Sequence, residues 1–416
     1  RPGACRRARN GRGGKGVTAM PPRRLEVQYQ DVSLRVINWR NLLRVDWLLS
    51  LIVLLLAVAG WTVMYSASRS SDISYFHRQI MYFFLGAILT VFIICVDYRF
   101  LVGLGPLMYI GAMVMLFAVL AVGTVAKGSE RWLVLGPFRL QPSETTKLIM
   151  VYALTWYFVK LGPRIKKIRW FLLTFILAGL PIALILKQPN LGTAASLAPL
   201  VIVMLFVAGC RVWHLAVVVL LGLSIVPVMW WEMHDFDPDV PKEPRGFYDL
   251  KHYQKMRVYA FLNPEYDQRG SGWHTLQSKI TVGSGGLTGK GYLKGTQTRL
   301  NYLPEHHTDF IFSLLAEEHG FVGATVVIAL FLVFLLRGLS FARDCPDMAG
   351  TLLASGIVTI LAFHIFVNIA ITIGLMPVTG IPLPFLSFGG SFYLTTMAGV
   401  GVLLNVPARG KGLIVA

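Results

Sequence analysis

Ionisable side chains lie in this chain where polar sequence meets long apolar runs, and one such place gathers several of them. The run from Leu303 to Phe310 reads LPEHHTDF and continues into an apolar stretch of membrane length. Charged forms are disfavoured at such a boundary because the surroundings are apolar. Asp309 is therefore either a functional carboxylate or an ordinary anion at a helix start capped by Thr308. Glu305 and His307 add polar groups to the same segment.

Glu144 and Lys147 form a second candidate pair at the start of another apolar run. Their i,i+3 spacing puts them on one helix face, where they can pair and reduce each other's desolvation cost. The alternative is structural. Pro142 would begin the helix, Glu144 would serve the helix dipole, and Lys147 would extend outward to water.

Two turns supply further polar groups. Gln188 lies in the sequence KQPNLGT, and Ser387 lies in SFGGS before the last apolar run. Each turn also fits a purely structural role, because Pro, Asn and Gly are ordinary turn residues.

The glycine-dense stretch Gly283–Gly291 does not have the spacing of a nucleotide-binding phosphate loop. It still predicts a flexible backbone with exposed N–H groups, and Lys279, Lys290 and Lys294 are nearby. Such a loop could meet a diphosphate, or it could be a plain loop that needs only turn chemistry.

The elements that position these residues must be membrane helices. The 416 residues are 55% hydrophobic and 14% charged, which is typical of a polytopic membrane protein. A helix needs about 20 apolar residues to cross the hydrocarbon. We predict an all-α protein with about ten transmembrane helices and one long extracytoplasmic loop. The runs begin near Trp47, Ile80, Leu101, Leu148, Phe171, Leu191, Leu215, Phe321, Leu352 and Ser391.

The chain has a net charge of +18, and its basic residues are distributed as the predicted topology requires. With an even number of spans, the basic clusters fall on the side of the N-terminus, which predicts cytoplasmic N- and C-termini. Basic segments beside spans attract anionic membrane lipids, so we expect no nucleic-acid partner. None of the four cysteines is predicted on the oxidising side, which argues against a disulfide framework.

The predicted domains are a basic cytoplasmic tail (residues 1–45), a transmembrane domain (46–406) and a short cytoplasmic tail (407–416). Residues 1–19 lack the apolar core of a secretory signal, and we expect them to be disordered or not native, with Met20 as a natural start. The transmembrane domain includes the large extracytoplasmic loop, residues 232–308, with an amphipathic helix at 253–262 and a glycine-dense loop at 270–295.

Topology puts the polar exceptions at the outer span ends although they come from four places in the sequence. These exceptions are Glu144, Lys147, Gln188, Asn190, Asp309 and Ser387. Polar residues without a common role would be expected at both surfaces of the membrane. Their convergence predicts a polar cavity that opens to the outer leaflet and holds a carboxylate.

Five motifs in this order resemble the shape, elongation, division and sporulation (SEDS) family, and the resemblance extends over nearly all of 47–405. They are QPSETTK (141–147), KQPNLGT (187–193), GSGG through KGTQ (283–297), LPEHHTDF (303–310) and LPFLSFGGS (383–391). The third motif resembles the RodA, or elongation, branch more than the FtsW, or division, branch. The chain departs from the family pattern at Asn190 (usually Asp), Phe388 (usually Tyr) and His319 (usually Leu), and His306 stands at a variable position.

The resemblance implies a ten-span peptidoglycan glycosyltransferase of the bacterial cytoplasmic (inner) membrane, acting on lipid II at its outer face. It implies a class B penicillin-binding protein as transpeptidase partner, with other membrane proteins of the elongation complex. The essential aspartate of the family falls on Asp309, and its Glu–Lys pair falls on Glu144 and Lys147.

For this reaction Asp309 is our hypothesis for the general base, and Lys147 with Arg131 would face the diphosphate. Gln188, Lys279, Glu305, His307, Thr308 and Ser387 are the other expected substrate-binding residues. A divalent cation, Mg²⁺ or Mn²⁺, could stabilise the leaving diphosphate, with Asp309 as base or as metal ligand. No organic cofactor is expected.

The rival functions are a lipid II flippase or transporter and a non-catalytic scaffold. Ten spans and an intramembrane polar pair fit a flippase too, but a flippase should show polar groups through both leaflets. The inner halves of the spans are almost uniformly apolar. A scaffold would leave the convergence of carboxylates unexplained.

Overall fold

The computed structural model describes residues 37–69, 72–122, 124–126, 129–135, 138–188, 190–234, 252–263, 271–300, 302–303 and 306–410. Residues 1–36, which include most of the predicted basic tail, lie outside this part of the chain, and so does Glu305.

The described chain is a helical bundle, as the apolar runs predict. In chain order the helices are α1 (Trp47–Arg69), α2 (Ser74–Cys95), α3 (Tyr98–Gly103), α4 (Gly105–Val122), α5 (Pro142–Leu161), α6 (Ile168–Lys187), α7 (Leu191–Val207), α8 (Val212–His234), α9 (His252–Leu262), α10 (Ser271–Ser284), α11 (Thr296–Arg299), α12 (Ile311–Asp344), α13 (Met348–Thr372) and α14 (Gly390–Gly410). Short 3-10 helices cover Trp39–Arg44 and Gly162–Lys166.

Six of these helices are long and apolar enough to cross a membrane: α1, α2, α6, α12, α13 and α14. Shorter apolar stretches occupy Gly105–Ala121, Leu191–Val207 and Val212–Ser224. The predicted all-α polytopic membrane fold is therefore confirmed. Helix α5 interrupts its apolar sequence with Glu144 and Lys147 near its start.

A small antiparallel sheet lies between α4 and α5. Strands β1 (Thr124–Ala126), β2 (Ser129–Leu135) and β3 (Phe138–Leu140) pair in the order β1-β2-β3. Two of the strands have three residues, so they are too short to leave a recognisable alternation in the sequence.

The two helices between α8 and the glycine stretch differ in how well they were predicted. Helix α9 confirms the helix expected at 253–262. Helix α10 shows that the glycine-dense loop expected at 270–295 was wrong over its first half, since 271–284 are helical and pack against α12. Glycine and serine, which have weak helix propensity, stand at both ends of this segment. Burial against α12 overrides that weak propensity.

Helix α13 lies in the interior of the bundle and packs against α5, α7, α12 and α14. Within its most apolar stretch, 72% of the residues are buried, against 28% in α12. A polar side chain on α13 must therefore find its hydrogen-bond partners inside the protein. Two such side chains, His364 and Asn368, lie at the site described next.

Candidate active site

The Glu144–Lys147 pair is buried at the start of α5. Pro142 occupies the first turn of that helix, as predicted, and three residues separate the two charged side chains along one face. Lys147 Nζ lies 2.7 Å from Glu144 Oε2, and the two side chains are 2% and 5% exposed. Lys147 therefore does not extend outward to water, so this part of the structural alternative was wrong, while Pro142 and Glu144 do lie in the first turn as that alternative predicted. Thr193 on α7 donates to Glu144 Oε1 at 3.1 Å.

His364 on α13 contacts this pair, and it was not among the predicted site residues. Lys147 Nζ lies 2.7 Å from His364 Nε2, and His364 Nδ1 lies 3.2 Å from the carbonyl oxygen of Pro382. An ammonium can only donate, so Nε2 accepts and Nδ1 carries the proton of a neutral imidazole. The His364 ring stacks on the Phe392 ring with 5.0 Å between their centroids, and Lys147 Nζ lies 5.5 Å from the centroid of the Phe392 ring.

A small cavity of about 20 Å³ adjoins the pair between α5, α13 and α14. Its walls are largely apolar and include Leu148, Ile357 and Leu361. A volume of this size holds a water molecule and not a sugar. The ion pair is therefore not itself open to a large ligand.

The turn before α7 belongs to the same polar network. Asn190 Nδ2 donates to Ser143 at 3.2 Å, and Asn190 Oδ1 accepts from the backbone N–H of Thr193 at 3.4 Å as the N-cap of α7. The buried Gln188 donates to Leu116 O at 3.1 Å. Asn190 therefore caps α7 with its side-chain amide.

Asp309 lies in a turn before α12. That helix begins at Ile311 with Phe310 as its N-cap residue, which makes no side-chain cap, so Thr308 does not cap it as the alternative interpretation of Asp309 supposed. Phe310 is buried with Leu303, Val367, Ile371 and Ile381 in a small apolar cluster of its own. The cluster anchors the segment beneath the half-buried Asp309.

Three consecutive carbonyl groups of the Asp309 segment accept hydrogen bonds from other elements. Phe388 N donates to His307 O at 2.9 Å, Ser387 Oγ to Thr308 O at 2.6 Å, and Asn368 Nδ2 to Asp309 O at 3.0 Å. The His307 ring also stacks on Tyr75, 4.6 Å away. Hydrogen bonds to its backbone carbonyl groups therefore hold this segment in place.

Residues 379–388, called the strap below, connect Asp309 to the ion pair. Gly380 lies beside Asp309, since a Cβ on Gly380 would come within 3.8 Å of Asp309 Oδ2. Pro382 O accepts a hydrogen bond from His364 Nδ1, and Ser387 Oγ donates to Thr308 O. Hydrogen bonds thus connect Glu144, Lys147, Asn190 and Ser387 with the Asp309 segment. The polar cavity that opens to the outer leaflet stays a prediction.

The other expected site residues lie elsewhere or cannot be placed. Lys279 is exposed on α10, with its side chain over Gly374 at the end of α13. Arg131 lies in β2, but its side chain is outside the described part of the structure, as is all of Glu305.

The glycine stretch docks into a break in α12. Gly320 has φ 66° and ψ −166° inside that helix, which interrupts its backbone hydrogen bonding. The loop replaces the lost bonds through Lys290 N to Glu317 O (3.0 Å), Gly291 N to Glu318 O (3.0 Å), Phe321 N to Gly286 O (2.9 Å) and Val322 N to Leu287 O (3.1 Å). The N–H groups of Lys290 and Gly291 are consequently used within the protein and are not exposed to a diphosphate.

Glu317 fixes the far end of the same loop. Its buried carboxylate accepts from Lys290 Nζ at 2.7 Å, Thr296 N at 2.8 Å and Gln297 N at 3.0 Å. Glu318 accepts from Leu293 N at 3.1 Å and from the Ser66 hydroxyl. These two carboxylates therefore hold the loop, and the plain structural interpretation of the glycine stretch is the better one.

The described residues bring no three acidic, histidine or cysteine side chains together in a group that could hold a metal ion. The donor set in this part of the chain therefore does not form a metal site built by the protein alone, and we derive no catalytic step through one.

Fold and site define a polytopic membrane protein with a buried ion pair beneath a half-exposed aspartate. The FtsW/RodA/SpoVE family model, described as cell cycle protein, matches residues 46–411. The chain belongs to this family, which confirms the resemblance seen in its motifs.

Individual relatives agree. The chain is 37% identical over 366 residues to the peptidoglycan glycosyltransferase MrdB of Escherichia coli K12, covering 87% of this chain and 93% of MrdB. It is similar to a chain from a structure titled as structural coordination of polymerization and crosslinking by a peptidoglycan synthase complex (TM-score 0.74, 32% identity, 88% and 99% coverage). It is also similar to the rod shape determining protein RodA of Thermus thermophilus (TM-score 0.65, 30% identity, 89% and 99% coverage).

Proposed function

We propose that this chain is a peptidoglycan glycosyltransferase that polymerises lipid II during cell elongation and the maintenance of rod shape. The observation that carries the proposal is the single polar network that links a buried Glu–Lys pair to the segment of Asp309. Relatives named as peptidoglycan glycosyltransferases support the reaction class. The motif at 283–297 supports the elongation branch.

In this reaction the GlcNAc 4-hydroxyl of one substrate attacks the MurNAc anomeric carbon of another. Asp309 takes the hydroxyl proton as the new C–O bond forms, a contribution typically worth about 10²–10⁴-fold in rate. The bond from the anomeric carbon to the phosphate oxygen breaks, and undecaprenyl diphosphate leaves. With one base and no covalent intermediate, the anomeric configuration inverts.

Negative charge collects on the departing diphosphate, and Lys147 is the proposed source of compensating charge. Because Lys147 is enclosed by Glu144 and His364, it acts through its electric field or after the cavity opens. Arg131 would meet the diphosphate from β2. Mg²⁺ or Mn²⁺ bound by the substrate phosphates would supply further charge.

The proposed setting is the bacterial inner membrane with the site on its outer face. A class B penicillin-binding protein is the proposed partner, since a similar chain comes from a complex that couples polymerization with crosslinking.

The test incubates the purified chain, with and without that partner, with lipid II and separates the products on gels. We expect glycan strands from the wild type, and a loss of at least about 100-fold for Asp309→Asn, since the amide cannot accept the proton. Asp344→Asn, the same change in an exposed residue at the opposite end of α12, is the matched control and should polymerise normally.

Normal polymerisation by Asp309→Asn would refute the base assignment. A chain that moves labelled lipid II across liposomes without lengthening it would instead be a flippase.

A further inference from the structure

Helix α13 carries two buried polar side chains one turn apart, and each bonds in two directions. His364 contacts Lys147 on one side and the carbonyl of Pro382 on the other. Asn368 donates through the same amide nitrogen to Asp309 O at 3.0 Å and to Ile381 O at 2.7 Å. The i,i+4 spacing places both on one face of the central helix.

The two side chains fasten neighbouring carbonyls of the strap. Ile381 O and Pro382 O belong to consecutive residues, so the strap is fixed to α13 at one point by two donors. The strap then continues to Phe385, which adopts φ 66°, a costly conformation for a bulky residue. Its carbonyl lies within 3.3 Å of Gln79 Nε2 on α2. A strained backbone of this kind persists only where its surroundings hold it.

We propose that His364 and Asn368 are positioning residues for the polymerisation reaction. His364 sets Lys147 on the diphosphate side, Asn368 sets Asp309 on the acceptor side, and α13 with the strap keeps the two in one rigid frame. The proposal rests on the proposed function for its kinetic consequence, while its structural consequence can be measured without activity. A displacement of about 1 Å in such a frame can cost about 100-fold in rate.

Asn405 provides a matched control at the other end of the bundle. Its amide nitrogen also donates to two carbonyl oxygens, those of Ile93 and Val96, both at 2.7 Å, and it is equally buried. Its Oδ1 in addition accepts from Arg409 Nε at 3.2 Å. Replacing either asparagine by leucine keeps the approximate volume and leaves two carbonyls without that donor. Asn405→Leu should therefore lose at least as much stability as Asn368→Leu.

The experiment compares Asn368→Leu with Asn405→Leu in the full complex with the transpeptidase partner. Three quantities are measured: kcat and KM for lipid II, the apparent Tm, and amide hydrogen exchange of residues 379–388. We expect Asn368→Leu to lower kcat by at least about 10-fold with little change in KM, and to accelerate exchange in the strap. Asn405→Leu should change neither kcat nor strap exchange, although its Tm falls at least as far.

Two substitutions at His364 separate its contacts. In His364→Gln the side-chain terminus reaches the position of Nε2, so the contact with Lys147 can remain while Pro382 is released. In His364→Asn the terminus reaches the position of Nδ1, so the bond to Pro382 can remain while Lys147 loses its acceptor. We expect faster strap exchange in the first variant only, and a lower kcat in both.

Strap exchange in Asn368→Leu equal to that in Asn405→Leu would overturn the proposal, and so would equal kcat in the two variants. If the wild type makes no glycan, the proposed function fails, but the exchange measurement still decides whether α13 fixes the strap.

Discussion

The two ends of this bundle both concentrate polar groups, and they use them differently. At the end opposite Asp309, ion pairs join helix ends and keep some exposure: 16% for each partner in Arg409–Asp97, and 39% and 27% in Arg99–Asp347. At the Asp309 end, Glu144 and Lys147 are almost completely enclosed.

Enclosure of this kind is a poor way to gain stability. Two charges taken out of water lose solvation that their attraction barely restores, and apolar residues of the same size are often as good or better. Exposed pairs at helix termini have no such cost but also contribute little. The comparison indicates that the opposite end is built for holding helices together, whereas the Asp309 end maintains charge for another purpose.

The largest effect that would break this comparison is expected from Lys147→Met. The substitution leaves Glu144 buried without its cation, which typically costs about 3–5 kcal/mol. Arg409→Met at the opposite end should cost less, about 1–2 kcal/mol, because Asp97 retains access to water. Apparent Tm values of the purified chains in detergent measure the difference.

The double variant Glu144→Gln/Lys147→Met separates stability from function. It removes both charges, so most of the lost stability should return while lipid II polymerisation stays low. Recovery of both properties would show that the pair is structural, like those at the opposite end.

A smaller effect is expected from two glycines with the same backbone angle. Gly289 (φ +82°) lies where a Cβ would overlap the Glu318 carbonyl oxygen, whereas a Cβ on Gly209 (φ +81°) would meet nothing within 4 Å. Gly209→Ala should therefore cost only the strain of the left-handed conformation, about 1–2 kcal/mol. Gly289→Ala should cost more because the loop can no longer dock into the break at Gly320.

Limited proteolysis within 285–297, together with the apparent Tm, measures this second comparison. Equal losses in the two alanine variants would mean that the docked loop adds nothing to the backbone strain.

Much of the fold follows from the sequence because its signals are local. The apolar runs predict the helices, and the spacing of Glu144 and Lys147 predicts that they share a face. The kink at Gly320 and the helix at 271–284 were not predictable, since both depend on the loop and α12 packing against each other. A glycine signals backbone freedom without saying which conformation the neighbours will select.

The candidate site shows the same division. Asp309 and the ion pair break an apolar pattern and are visible for that reason. His364 and Asn368 lie in the C-terminal half of α13, and a polar residue in an apolar stretch does not indicate its partner. Only the fold reveals that they contact Lys147 and Asp309 O. Signals that depend on two distant segments meeting remain hidden in a single sequence.

The smallest effect concerns Cys345, which lies between α12 and α13 at the opposite end. Burial there, together with the adjacent Asp347 carboxylate 3.1 Å from Sγ that repels the thiolate, raises the pKa of its thiol to about 12. Only the thiolate reacts with alkylating reagents, so at pH 8 Cys345 should react at least about 100-fold more slowly than an exposed cysteine. Its rate should still be increasing at pH 9.5, where the rate of an ordinary thiol has levelled off.

Peptide mass spectrometry after timed iodoacetamide treatment measures the rate, and Cys345→Ser identifies the peptide. Asp347→Asn removes the repelling charge and should speed the reaction without changing lipid II polymerisation. A Cys345 that reacts at the ordinary rate at pH 8 would show that this end of the bundle is more open to water than its ion pairs suggest.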